Sequence, residues 1–283
     1  MRLYLFYLFL FSLIVFSSCE GETEPIPSYI HIPKASVNNT NASLGSSSSN
    51  ITSVWVFANQ QQIGVFELPV TLPILAEGAV ELSFQAGVKV DGISFNLQRY
   101  PFYDFYTTTL DLTATEVDTI SPVFNYKDST KIILINDFEE NNNFEIKEGT
   151  NAFIDLANSP AEVLEGNRSA CIRLNETRPN FQMGTIGLYD LPKYVDAFVE
   201  FDYLNELEFD FYVTGLDVNG NPFFSIVVNV FPSEEWNKIY MDMSGIGDIV
   251  LENIGVEFGF IGSLPDSLDQ ATVCFDNIKL FHK

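Results

Sequence analysis

Basic residues and histidine are scarce in this chain. It carries 14 Lys+Arg against 38 Asp+Glu, a formal net charge of −24. Nucleic acid needs a basic footprint that displaces counterions, so that partner class is excluded. An anionic membrane surface repels the body as a whole for the same reason. Only His31 and His282 occur, one in a linker-like stretch and one beside the C-terminus, so no nucleophile–histidine arrangement is suggested. The three cysteines have no zinc-like spacing, and no glycine-rich strand-to-helix loop is present. Acids are so abundant that any pair picked as a glycosidase dyad means little. A non-catalytic protein is expected. What is present is apolar: 46% hydrophobic and 14% aromatic residues, which excludes an acidic disordered tail. A length of 283 residues allows a large core and about two domains.

The single long apolar run, Leu3 to Phe16, follows Arg2 and precedes Ser17, Ser18 and Cys19. It is short of the roughly 20 residues that span a bilayer. Its layout is that of a secretory signal. Phe16-Ser-Ser-Cys19 resembles the lipobox of bacterial lipoproteins, with Phe in place of the commoner Leu, a choice tolerated in Bacteroidota. The resemblance implies cleavage after residue 18 and acylation of Cys19, with palmitate-like chains as a stable membrane anchor. Losing Arg2 makes the exported body one charge more negative. Glu20, Glu22 and Glu24 resemble the acidic surface-export signals of such lipoproteins, and suit a solvated tether equally well. The expected address is the outer membrane, with the cell surface as one option.

Residues 19–50 read as a flexible linker. Pro25, Pro27 and Pro33 break regular structure, and Asn38–Asn41 and Ser46–Ser49 are polar and repetitive. Tyr29–Ile32 alternates and is the exception, a short strand expected to pair with the first domain.

Residues 51–126 change texture. Val54–Phe57, Ile63–Phe66, Val80–Phe84, Thr107–Leu112 and Val117–Phe124 read as strands. A small all-β sandwich is expected. Val54, Val56, Gly64, Pro69, Pro73 and Leu75-Ala-Glu-Gly78 resemble PEGA-like, immunoglobulin-like modules of bacterial envelopes. That resemblance implies a spacer or interaction domain. Between Tyr100 and Tyr106, five of seven residues are aromatic. They supply either a contact surface or a buried connection packed on the other domain.

Residues 131–283 read as a second, larger β-sandwich. Leu207, Phe209, Phe211 and Val213 share one face, with Glu208, Asp210 and Tyr212 opposite. Ile254, Val256, Phe258 and Phe260 repeat the period of two. Asn219-Gly220 marks a hairpin. Asn136-Asp-Phe-Glu139, Glu165–Ala170, Trp236–Tyr240 and Val273–Leu280 resemble jelly-roll modules of the galactose-binding and carbohydrate-binding type. With the lipobox, the whole layout is similar to Bacteroidota surface lipoproteins.

That resemblance implies a structural Ca²⁺ held by Glu139, the carbonyls around Asn167–Ser169, and Asp276, an oxygen set suited to calcium. Asp276, in phase with Ile278 and Leu280, would point inward and need a metal or hydrogen bonds. No other cofactor is implied. Tyr212, Trp236 and Tyr240 lie on the polar phase of their strands, near Glu208, Asp210 and Asp242. They offer a glycan platform, or are ordinary surface aromatics and a core-edge tryptophan. Cys171 is in phase with Arg173, and Cys274 with Ile278 and Leu280. An exported protein permits a disulfide, but opposite faces are bridged only with a bulge or a different strand arrangement, so whether the two pair is left open. The functional expectation is a lipid-anchored envelope module that binds or scaffolds an envelope protein. The alternatives are a surface glycan-binding lipoprotein and, last, a glycosidase-like enzyme.

Overall fold

Alternation of β-branched and aromatic residues with polar ones sets strands throughout the chain. The computed structural model describes residues 26–38 and 46–283. Cys19, the signal-like segment 1–18 and Glu20–Glu24 lie outside the described residues. The fold is all-β, with one short helix, Ser244–Ile249, among the described residues. No helix among them is long and apolar enough to cross a membrane.

The first sandwich uses ten strands: β1 (Ser28–Ile32), β2 (Ser36–Asn38), β3 (Ser53–Ala58), β4 (Gln61–Glu67), β5 (Val70–Ile74), β6 (Gly78–Lys89), β7 (Leu97–Arg99), β8 (Tyr106–Leu112), β9 (Val117–Thr119) and β10 (Val123–Asn125). One layer is β5-β1-β9 with the pair β2-β10; the other is β4-β3-β6-β7, with β8 also on β6. β6 shows why it forms: Val80, Leu82, Phe84, Ala86 and Val88 are buried on one face, with Glu81, Ser83 and Gln85 on the other. Ile30, Ile32, Leu72 and Ile74 complete that core from the opposite layer. Gly78 adopts φ +75° at the turn into β6, a conformation a side chain would penalise.

The strand expected at Tyr29–Ile32 is present as β1, which runs antiparallel to β5 and parallel to β9 of the first sandwich. The linker expectation needs revision at Ser36–Asn38, where β2 runs parallel to β10. That partner lies about 90 residues away, so local composition alone conceals the pairing.

The second sandwich uses β11 (Lys131–Asn136), β12 (Phe144–Ile146), β13 (Ile154–Ala157), β14 (Ser169–Asn175), β15 (Asn180–Thr185), β16 (Ala197–Asn205), β17 (Phe209–Leu216), β18 (Pro222–Val230), β19 (Ser233–Asp242), β20 (Glu257–Ser263) and β21 (Gln270–His282). A six-stranded sheet runs β13-β14-β21-β16-β19 with β11 also on β21. A five-stranded sheet runs β12-β15-β20-β17-β18. Phenylalanines fill the space between them: Phe201, Phe209, Phe211, Phe260 and Phe275 are buried together, with Phe260 and Phe275 rings 4.3 Å apart. The expected inward set Leu207, Phe209, Phe211, Val213, Val256, Phe258 and Phe260 is buried in this core. Ile254 is instead 45% exposed, because β20 starts only at Glu257. At the Asn219-Gly220 hairpin, Asp217 Oδ1 accepts the N–H groups of Asn219 and Asn221, both at 2.8 Å.

Candidate functional site

Each sheet of the second sandwich has an outer face, and only one of the two is open. The six-stranded sheet turns Phe198, Tyr240 and Phe281 outward at one end, where they join the core of the first sandwich. The Tyr100–Tyr106 segment meets them there. Tyr100, Phe102 and Tyr103 are buried, and Tyr100 packs edge-on to Phe198 and Tyr240 at 5.4 and 5.1 Å. Those aromatics are therefore a domain junction.

The middle of that face carries buried charge. Tyr100 Oη donates to Glu200 Oε1, and Lys238 Nζ lies 3.5 Å from both Glu200 and Asp202. Burial pushes the Glu200 carboxyl up, against the opposing pull of Lys238. Burial disfavours charge on Lys238, but Asp202 and Glu200 outweigh it and raise its pKa. Residues 46–50, expected to be tether, lie across this network as a strap. Ser48 Oγ donates to Asp202 at 2.7 Å, Lys279 Nζ donates to the Ser46 carbonyl at 2.9 Å, and Asn50 N–H donates to Tyr240 Oη at 2.9 Å. Buried charges need such partners, and the polar serines supply them.

At the far end, Cys171 and Cys274 are bonded, directly opposite on β14 and β21 with Cα atoms 4.1 Å apart. This overturns the expectation of opposite faces. Asn277 adopts φ +47°, and the pairing of β16 with β21 slips between Glu200 and Asp202. That bulge reverses the phase of β21. Val273 and Phe275 point inward before it, Ile278 and Leu280 after it. Cys274 and Asp276 therefore face outward. Trp236 packs over the disulfide with Ala157 and Leu204.

The aromatic trio is corrected too. Tyr240 (1% exposed) is junction core and Trp236 covers the disulfide, both on the six-stranded sheet. Tyr212 lies on the other sheet and is 0% exposed. The three form no common platform.

Glu139 and Asp276 come to one neighbourhood. Glu139 Oε1 accepts the N–H groups of Asn167 at 2.7 Å and Arg168 at 3.1 Å, and its Oε2 accepts the Asn167 amide at 3.1 Å. Desolvation raises the Glu139 carboxyl, but these bonds outweigh it and lower it overall. The loop thus offers Glu139 its N–H groups, where the resemblance implied carbonyls for a cation. Asp276 accepts the Asn277 N–H through Oδ1, while its Oδ2 is buried without a hydrogen-bond partner. Burial pushes its pKa up to about 8, helped by the charges of Asp202, Glu165 and Glu139. A Ca²⁺ here would have to displace the donors on Glu139, so this donor set does not fit it as it stands.

The outer face of the five-stranded sheet is open. Its central row runs Glu145, Gly184, Gly259, Tyr212, Ile226 across five strands. Two adjacent glycines leave a floor without side chains. The Tyr212 ring lies over Gly259, and the Glu257 carboxylate over Gly184. Tyr212 Oη sits 3.1 Å from both the Met183 carbonyl and Glu257 Oε1. Burial, then the Glu257 charge, raises the Tyr212 pKa well above the phenol range. Lys147 joins Glu257 at 2.8 Å to Glu145 at 3.0 Å. Desolvation lowers the Lys147 pKa, and the two carboxylates more than restore it.

Phe224 stacks on Tyr212 with ring centroids 4.7 Å apart and an interplanar angle of 27°, and is itself 51% exposed. Ile226 beside it is 49% exposed. The face thus presents an aromatic ring lying flat, a half-exposed aliphatic neighbour and a fixed network of carboxylate, ammonium and phenol. At one end Asn229 donates to Asp210 at 3.0 Å, and a cleft of about 710 Å³ opens beside Ile261 and the loop to Leu268. Sequence reasoning found Tyr212 and Asp210 but missed Phe224. The signal was Phe224 and Ile226 alternating two residues apart in an uncharged strand.

No protein-family model and no curated protein matches the sequence. Solved structures to which the chain is similar include the family 11 carbohydrate-binding module of the cellulosomal cellulase Lic26A-Cel5E of Clostridium thermocellum. It is 14% identical with a TM-score of 0.38, over 53% of this chain and 94% of that one. The CBM22-1 xylan-binding domain of Paenibacillus barcinonensis Xyn10C is 13% identical with a TM-score of 0.37, over 53% and 94%. The enzymatically active domain of bacteriophage CBA120 tailspike protein 4 is 15% identical with a TM-score of 0.38, and the match spans 51% of this chain and only 20% of that one. Likeness at this level says nothing of what this chain binds.

Proposed function

We propose that this chain is a non-catalytic glycan-binding protein that uses the open face of its five-stranded sheet. The observation that carries the reading is the Phe224 ring, stacked flat on Tyr212 and half exposed, beside the Glu257–Lys147–Glu145 network. A pyranose offers an apolar C–H face and a rim of hydroxyls. A flat ring beside fixed donors and acceptors matches both, with little ordering cost because the groups are already held. Both central carboxylates are engaged by Lys147, an arrangement that fixes shape and charge rather than delivering a proton.

Anchoring through Cys19 in the outer membrane and a PEGA-like identity for the first sandwich belong to the same reading. They rest on the lipobox residues and on the strand and turn residues from Val54 to Gly78. Affinity electrophoresis in gels of soluble polysaccharide tests the binding. Phe224→Ala should abolish retardation at the sheet face without unfolding the protein, and unchanged retardation in every gel would refute the site. Detergent partition of Cys19→Ser, expected to move the protein to the aqueous phase, tests the anchor.

A further inference from the structure

A second cleft, of about 800 Å³, lies on the other side of β18. β18 ends the five-stranded sheet and β19 ends the six-stranded one, so the two sandwich edges part here and leave a crevice. The loop between β6 and β7 of the first sandwich forms the third wall. Phe95 on that loop is 91% exposed, and Phe231 on the β18–β19 turn is 68% exposed. Both line the crevice.

The loop wall is held in place. Asp91 N–H donates to the Tyr240 carbonyl at 2.8 Å, and Asp91 Oδ1 accepts the Asp242 N–H at 3.2 Å. Within the loop, Ile93 N–H donates to the Val90 carbonyl and Asn96 N–H to the Ile93 carbonyl, at 3.1 and 3.0 Å. Asp91 and Gly92 take the positive φ values, 57° and 66°, that the tight turn needs. Phe95 is thus presented to solvent from a hydrogen-bonded turn pinned to β19. Burying the ring would be the default for a phenylalanine.

We propose that this cleft between the two domains is a second binding site, and that its ligand class is neutral oligosaccharide. This inference rests on the glycan-binding reading above and deepens it. Phe95 and Phe231 offer ring faces for pyranose C–H groups. Ser94, Ser233 and Asn237 line the same walls, Ser233 already donating to the Glu235 carbonyl and Asn237 to Tyr203 Oη, so these uncharged groups are held in place. Lysine, arginine and histidine do not line the cleft, and its one carboxylate, Asp91, already accepts the Asp242 N–H. Uronates and sulfated sugars therefore meet no counter-charge here, inside a body of net charge −24. The volume falls in the range of small-ligand clefts, and a domain boundary is a usual place for one. The site needs both domains, so either alone lacks one wall.

Calorimetric titration of the full chain with neutral oligosaccharides (mixed-linkage β-glucan, xylan and mannan fragments), and with oligogalacturonate and alginate fragments, tests this. Two sites per chain are expected for a neutral ligand. The double variant Phe95→Ala/Phe231→Ala should remove one of them, weakening it about tenfold or more, and leave the melting temperature unchanged because both rings are exposed. Phe224→Ala should remove the other. Binding unaffected by the double variant overturns the cleft site and leaves the sheet face standing. Binding lost only in the double variant upholds the cleft and removes the sheet face. No titration with any neutral fragment overturns both. Preference for the uronates overturns the neutral class. A fluorescent Val/Thr-alternating peptide bound by the wild type and lost in the double variant, with glycan binding intact, assigns the cleft to strand addition along β18 and also overturns the proposal.

Discussion

Removing the Cys171–Cys274 bond should cost the second sandwich about 2 to 5 kcal/mol. The two cysteines are 103 residues apart, and closing a loop of that length restricts the unfolded chain by about 5 kcal/mol in the chain-entropy treatment. Typical native bridges contribute about 2 to 4 kcal/mol, which sets the lower end. The sulfurs are fully buried under Trp236, so Cys171→Ala/Cys274→Ala also leaves a small void. Reduced wild type keeps the sulfurs and isolates the cross-link itself. Urea unfolding followed by tryptophan fluorescence suits the comparison, because the chain has only Trp55 and Trp236. Trp236 touches the bridge, and disulfides quench adjacent indoles. Reduction should therefore brighten the native signal and lower the unfolding free energy together. A loss under about 1 kcal/mol, or free thiols at both positions in the unreduced, unfolded chain, would refute the reasoning.

Asp276 should make stability pH-dependent with a sign unusual for a carboxyl. Its folded pKa is raised from 3.8 to about 8, so the fold binds the proton more tightly and loses stability as pH rises from about 4 to about 8. Asp276→Asn should remove that slope and recover up to about 4 kcal/mol at pH 7, read by urea midpoints at several pH values. A bound Ca²⁺ would give the opposite result, with a weaker variant and a melting temperature lowered by chelator. Tyr100→Phe should cost about 2 kcal/mol, because Glu200 keeps its burial and loses a hydroxyl donor; calorimetry showing no change would exclude that donor's role. Gly259→Ala would drive a methyl into the Tyr212 ring and the Met183 carbonyl. It should destabilise by about 1 to 3 kcal/mol and abolish sheet-face binding, whereas equal stability and affinity would show that the ring need not lie flat there.

Local periodicity carried most of the architecture. β17 and β20 keep their expected inward residues, and Asn219-Gly220 marked a real turn. The site was less legible because exposure depends on what covers a residue. Tyr212 and Tyr240 both occupy the polar phase of their strands. One is hidden by Phe224 lying on it, the other by the first sandwich. The first cover lies across the Asn219-Gly220 hairpin, and the second is far away in sequence. The strap at residues 46–50 escaped for the same reason: serines and asparagine read as linker until Asp202, Lys238 and Lys279 are seen to need partners.

The largest error traces to one residue. A period of two holds only while the strand is regular, and Asn277 in the left-handed region shifts β21 by one position. Asn is among the few residues that tolerate that conformation, so Asp276-Asn277 was a visible warning between the apolar residues Phe275 and Ile278. The shift has a structural consequence beyond phase. It lets β21 keep Val273 and Phe275 in the core at one end and Ile278 and Leu280 at the other. Between them, Asp276 and Lys279 turn outward to the charged middle of the sheet. Without the bulge, either Cys274 or Lys279 would point into the phenylalanine core. An unpaired ammonium there would be costly, and a Cys274 facing inward would lie beyond reach of Cys171. The bulge thus absorbs Asn277 and keeps both the bridge and the buried charge network on the outer face. Deleting Asn277 removes the extra residue itself, so Asp276 and Ile278 then alternate regularly and Cys274, Asp276 and Lys279 keep their outward faces. The deletion variant should therefore still form the bridge by mass spectrometry, whereas Asn277→Val, which keeps the residue but penalises its left-handed backbone, should destabilise the fold by about 1 to 2 kcal/mol; a deletion variant lacking the bridge would defeat that argument.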